Sequence, residues 1–238
     1  MLLTAEKLID DLNQHANVDR ASVMVRFFKT GKGEYGEGDV FIGVSVPVVK
    51  KIAKAYARAV SLSETKKLLQ HSIHEIRLAG TFILVFKFEK ANNDSEKKEI
   101  VDFYLDNIHA FNNWDLIDAS AHKILGVYWV DKSKDTLYAL ANSGDLWKQR
   151  IAIMATFYDI KRGEFKHTLG IAEILLHHPH DLIHKAVGWM LREVGKKNLD
   201  VELDFLMKHY RSMPRTMLRY AIEKFDPELR LRFLKGLV

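Results

Sequence analysis

The chain has 238 residues, 47% of them hydrophobic and 28% charged, with 13 Phe, 8 Tyr and 4 Trp, so it can bury one or two cores and is too apolar to stay disordered. It contains no cysteine, which excludes disulfide scaffolds, thiol nucleophiles and Cys-ligated zinc, and suits a reducing compartment. The net charge is +5, and residues 185–238 carry 12 Lys/Arg against 7 Asp/Glu, which fits either a polyanionic partner or an ordinary solvated basic surface.

The opening MLLTAEKLIDDLNQ carries acids early and no long apolar run, so no signal peptide is read, and the expected location is cytoplasmic. Leu3, Leu8, Ile9 and Leu12 predict a first helix. A break follows at 30–39 (TGKGEYGEGD). Val48, Val49, Ile52 and Tyr56 then predict a helix with Pro47 near its start, and Ser61 and Ser63 precede another, ETKKLLQ. The dense apolar run at 78–86 is too short to span a bilayer, and 82–88, with no partner strand nearby, is read as helix. Asn93, Asp94 and Ser95 mark a helix start after a break at 91–95. Further breaks fall at 142–145, 177–181, 195–200 and 211–214, with Asp145 and Asp181 opening helical segments such as that of Ile151, Met154, Ala155 and Tyr158. Four prolines and 13 glycines are too few for an all-β chain of this length.

The segments stack into a degenerate repeat. HEIRLAGTFIL, WDLIDASAHKIL, LWKQRIAIMATF, LIHKAVGWML and TMLRYAIEKF share one layout, and VPVVKKIAKAY, with Lys50 or Lys51 in the shared slot, precedes them. The slot holds Arg77, Asp118, Arg150, Lys185 and Arg219, at steps of 41, 32, 35 and 34 residues. That is the length of a helix pair with loops, and predicts one all-α domain over 1–238. The expected architecture is a right-handed solenoid of HEAT-like antiparallel helix pairs with a concave groove. Cations recurring at one slot can follow a phosphate backbone, or their stems can simply cover core edges.

Asp118 puts an anion into the row of cations. Trp114 lies four residues before it and shares its helical face, whereas Asp115 points away and suits the helix start. A carboxylate beside an aromatic ring in a phosphate-binding groove can stabilise a cation developing on a sugar. A buried Asp pairing with Arg150 or Arg77 is the alternative. Trp189 suits a sugar contact or a core position, while Trp129 and Trp147 read as packing residues. The eleven histidines include HHPH at 177–180, with no acidic ligand at helical spacing, so neither a metal nor a cofactor is expected.

These residues carry a resemblance. GDVFIGVSVPVVKKIAK at 38–54, NNWDLIDAS at 112–120, LWKQRIAI at 146–153 and KAVGWMLREVGK at 185–196, in this order, resemble the AlkD-like DNA glycosylases over nearly the whole chain. The resemblance implies hydrolysis of the N-glycosidic bond of cationic N3- and N7-alkylpurines in double-stranded DNA. It implies Asp118 as the catalytic carboxylate, Trp114 and Trp189 as the active-site tryptophans, and Arg150 and Arg192 as DNA contacts. Phe27 stands where the family has a DNA-reaching tyrosine. Lys185 and Arg77 are added as DNA contacts from their slots. A monomer is expected, with no membrane association. The competing readings are a non-catalytic relative that binds bent or branched DNA and a HEAT-type scaffold that binds protein.

Overall fold

The amphipathic stretches of the sequence become fifteen α-helices among the described residues, 4–238, in a computed structural model of the chain. Leu3, expected on the first helix, lies outside them. The described residues hold no strand, only one isolated bridge between Val40 and Ile73, so the all-α class stands. The chain forms two compact units, one up to Ser120 and one over Ala121–Val238.

The first unit carries α1 (Ala5–Asn13), α2 (Val18–Phe27), α3 (Val46–Tyr56), α4 (Leu62–Leu69), α5 (His74–Lys90) and α6 (Asp94–Asp106). Most of α7 (Trp114–Ala121) follows. Helix α5 is its centre: 13 of its 17 residues are buried, and α3, α4 and α6 pack against it. That enclosure explains why 78–86 reads as a continuous apolar run instead of a stripe: a helix covered on most sides has no polar face. The stretch 82–88 is helical, as expected.

The second unit carries α8 (Asp135–Ala141), α9 (Leu146–Ala155), α10 (Phe157–Lys161), α11 (Lys166–Ile174), α12 (Asp181–Lys197), α13 (Leu199–His209), α14 (Arg215–Ala221) and α15 (Pro227–Lys235). Here α12 is the hub, packed against α9, α13 and α14, while α8 packs on α9.

The start signals act through their side chains. Ser61 Oγ accepts the Glu64 N–H at 3.2 Å, Asn93 Oδ1 the Glu96 N–H at 2.9 Å, and Asp145 Oδ1 those of Trp147 and Lys148 at 3.0 and 2.9 Å. Asp181 is one residue inside its helix. The cap is His180, whose Nδ1 accepts the Leu182 N–H at 3.1 Å.

Two boundaries differ from expectation. The break expected at 195–200 shrinks to Asn198, because Gly195 belongs to α12. A Cβ there would lie 1.7 Å from Glu202 Oε2, so this glycine serves the close approach of α13 and does not end a helix. The segment LWKQRIAIMATF is interrupted at Thr156, whose hydroxyl and N–H both bond the Ile153 carbonyl. After α7 the chain continues as a π turn, His122–Gly126, a one-residue widening that no periodicity announces.

Candidate functional site

Helix α7 begins where Asn113 Oδ1 accepts the Trp114 N–H at 2.8 Å. Trp114 and Asp118 lie one turn apart on it, both half-buried. The Trp114 ring stacks on Phe28 at 5.3 Å and 11° and meets the edge of Phe27 at 5.9 Å. Phe27 is 63% exposed, so an aromatic step leads from solvent to Trp114. The Asp118 charge is felt inside the unit. Burial pushes the Tyr104 phenol up, its hydrogen bond with Ser120 opposes this, and Asp118 adds to the rise.

Beneath Trp114 lies a polar cluster that the sequence reading did not foresee. His74 is fully buried at the start of α5, and its ring nitrogens face Asp39 Oδ2 at 3.1 Å and Asp115 Oδ2 at 2.8 Å. Asp39 also takes Arg77 Nη2 at 2.5 Å and Asn113 Nδ2 at 2.9 Å. Burial opposes the charged imidazole, but Asp115 and Asp39 outweigh it and, against Arg77, push His74 up to about 9. Burial likewise opposes the Asp39 charge, yet the hydrogen bond from His74 and the Arg77 guanidinium hold its carboxyl below the ordinary value.

A histidine raised from 6.5 to about 9 contributes its full stability below pH 6.5 and loses it as pH rises through about 9. Urea midpoints are therefore expected to fall from pH 6.5 to 9.5 in the wild type and to fall less in His74→Gln. Equal slopes would contradict a charged His74.

Arg77, expected on DNA, is 5% exposed and donates to the His71 and Ser72 carbonyls and to Asp39. A guanidinium so enclosed holds the turn before α5 in place and has almost no surface to offer a phosphate. The acids of 30–39 are also engaged locally. Glu34 accepts the Gly31 N–H, Glu37 accepts the Gly33 N–H, and Asp39 closes the loop onto the cluster. Glu75, next to His74, is fully buried, and its carboxylate takes the N–H groups of Ile42, Gly43 and Val44 at 3.2, 2.7 and 3.3 Å. Gly43, at φ +79° with a would-be Cβ 2.0 Å from the Asn17 carbonyl oxygen, lets the chain turn into that carboxylate.

In the second unit, Trp189 on α12 is half-buried, lies 6.1 Å from Phe157 and donates its indole N–H to Glu193 at 3.2 Å. Phe157 in turn meets His122 of the π turn at 5.4 Å. Arg192 pairs with Glu193 and Glu223. Lys185 lies on the same helix in a 2.7 Å pair with Asp181, both partly exposed. Arg150, expected on phosphate, is 4% exposed and donates to the Leu182 carbonyl at 2.6 Å, a bond that ties α9 to α12. Trp129 is buried, as a packing residue should be.

The HHPH stretch organises a helix start. His178 Nε2 bonds Gln149 Oε1 at 2.9 Å, and its Nδ1 accepts the His180 N–H. Among the described residues, no three His, Asp or Glu side chains are placed to hold a metal ion. No described helix is long and apolar enough to cross a membrane.

The residues missed by sequence reasoning are Phe28, Asp39, Phe41, His74, Glu75, Asn113 and Phe157. Of these, only the acid–histidine–arginine run HEIR carried a local signal, buried charge at the head of an apolar helix.

Residues 8–225 match the sequence profile described as DNA alkylation repair enzyme. A solved structure described as a predicted DNA alkylation repair enzyme from Enterococcus faecalis has the same fold, with a TM-score of 0.68, 15% identity, and coverage of 90% of this chain and 98% of that one. No curated protein sequence matches.

Proposed function

The chain belongs to the DNA alkylation repair enzyme family, and from that premise we propose that it is a glycosylase releasing N3- and N7-alkylpurines from duplex DNA. The observation that carries the reading is the placement of a half-buried carboxylate, Asp118, one helical turn from Trp114 beside the aromatic step of Phe27 and Phe28.

The chemistry asks for one carboxylate. An N3- or N7-alkylated purine is cationic in the nucleotide, and when the C1′–N bond breaks, the electron pair neutralises the base, so no proton donor is needed for departure. The positive charge moves to the sugar, where Asp118 stabilises it and orients the water that adds at C1′, the water's proton passing to solvent. A preorganised charge of this kind lowers the barrier by about 3 kcal/mol or more. Trp114 packs against the sugar and lesion and excludes water, adding cation–π attraction of about 1 kcal/mol; Trp189 is the second tryptophan that the family resemblance implies. Lys185 and Arg192 contact phosphates, and Phe27 reaches the duplex as an apolar contact without the hydroxyl of a tyrosine. The chain acts as a monomer, without a cofactor.

The test is base release from N7-methylguanine duplex DNA by the wild type, alongside binding as a function of salt. Release with a salt-sensitive affinity is expected. Binding without release would reduce the protein to a DNA-binding relative, and neither would leave a protein-binding scaffold. Lys185→Ala is expected to lower the slope of log affinity against log salt by about one unit. An unchanged slope would place Lys185 away from phosphate.

A further inference from the structure

We propose that His74 is a positioning residue for the start of α7, a charged pin between Asp39 and Asp115 that fixes how Trp114 and Asp118 are presented. The inference rests on the reading of Asp118 as the carboxylate that faces the sugar.

Each ring nitrogen of His74 faces a carboxylate oxygen, at 3.1 Å for Asp39 and 2.8 Å for Asp115. A neutral imidazole carries one N–H, so one of its nitrogens would turn a lone pair on a carboxylate. Both contacts are satisfied only by the imidazolium, as two charge-assisted hydrogen bonds. The groups facing the ring are Asp39 from the loop, Asp115 from α7, and Arg77 from its own helix, whose Nη2 lies 3.3 Å from Nδ1. Two anions and two cations thus balance in a buried cluster.

The pin reaches α7 by two routes. Asp115, in the first turn, bonds His74 directly, and its other oxygen accepts the Leu116 N–H at 2.9 Å. Asn113, just before the helix, bonds Asp39 and receives the Trp114 N–H. Trp114 therefore sits between two anchored neighbours. The ring faces add a third link, because His74 packs against Phe28 at 4.9 Å and Phe41 at 4.7 Å, and Phe28 carries the Trp114 ring. None of these side chains reaches for a substrate, yet together they set the first turn of the helix whose second turn holds Asp118. An error of about 1 Å in such a group costs up to about a hundredfold in rate. Loss of the His74 proton leaves two carboxylates around a neutral ring, and one of the two links to α7 must then lengthen.

The experiment uses the full chain and two readouts. Wild type and His74→Gln are compared in single-turnover base release from N7-methylguanine duplex between pH 6 and 9.5, and by ¹⁹F NMR of 5-fluorotryptophan-labelled protein, with the Trp114 line assigned through Trp114→Phe. The expected result is a folded variant with DNA affinity within about twofold and release slower by about tenfold to a hundredfold. The alkaline fall in rate near pH 9 should be lost in the variant. The Trp114 line should titrate in the wild type and not in the variant. A folded variant within twofold of the wild-type rate, or a wild-type Trp114 line indifferent to pH, overturns the proposal. Should His74→Gln fail to fold, Asp115→Asn removes one of the two carboxylates, and its Trp114 line should titrate at lower pH; an unmoved titration overturns the proposal equally. A wild type that releases no base while its Trp114 line still titrates would overturn the catalytic reading of Asp118 and support the positioning role of His74.

Discussion

Asp118→Asn is expected to lower single-turnover base release by about a hundredfold or more, with DNA affinity within about twofold of wild type. The amide keeps the shape of the side chain and the face it shares with Trp114 on α7, so the substitution removes charge and little else. The charge matters only once the glycosidic bond has stretched and the sugar has become cationic. An interaction made in the transition state and not in the ground state appears in the rate and not in the affinity. The loss of a preorganised electrostatic partner of this type is worth about 3 kcal/mol. The control is internal: Tyr104, whose phenol feels the Asp118 charge, should become slightly easier to ionise in the variant. Unchanged turnover would remove Asp118 from the chemistry.

Glu75→Ala is expected to cost about 3 kcal/mol or more of stability. Its buried carboxylate is the acceptor for three successive backbone N–H groups, those of Ile42, Gly43 and Val44. Truncation orphans these donors, and an unsatisfied buried donor costs about 1–3 kcal/mol, the upper end where no water enters. For a chain of this size, a loss of about 3 kcal/mol lowers the melting temperature by roughly 10 °C. Amide exchange at residues 42–44 should accelerate far more than exchange in α12. Melting within about 2 °C of wild type would show that water replaces the carboxylate without penalty. The same loop carries Asp39 into the His74 cluster, so Glu75→Ala should also slow base release, through α7.

The two substitutions act on opposite sides of one local design. The chain leaves α2 at Phe27 and Phe28 and crosses a loop whose own acids cap its N–H groups. It is then held at 39–44 by three side chains from the first turn of α5: His74, Glu75 and Arg77. The acidic character of 30–39 is accounted for by these internal bonds.

The histidine-rich stretch at 177–180 has a similar resolution. The side chains of His178 and His180 terminate backbone N–H groups at the head of α12, a capping role that any short-range acceptor can fill. Histidine count is therefore no guide to metal binding here; the bonds of each ring decide.

Features that depend on neighbours three or four residues away are legible in the sequence. Apolar spacing predicted helices such as α1, α3 and α9. Ser61, Asn93 and Asp145 marked helix starts because a cap is a bond of two or three residues' reach. The pairing of Trp114 with Asp118 on one face follows from helical geometry alone, and the ordered segments at 38–54, 112–120, 146–153 and 185–196 carried the family. The fate of buried charge, by contrast, is set by packing between distant segments. Arg77 and Arg150 occupy the same repeat slot as Lys185, yet both are enclosed while Lys185 meets solvent. Asp39, His74 and Asp115 are 35 and 41 residues apart along the chain and become one cluster. Periodicity states which face a residue occupies and is silent about what covers that face. Whether a cation meets solvent or a carboxylate depends on segments brought in from far along the chain.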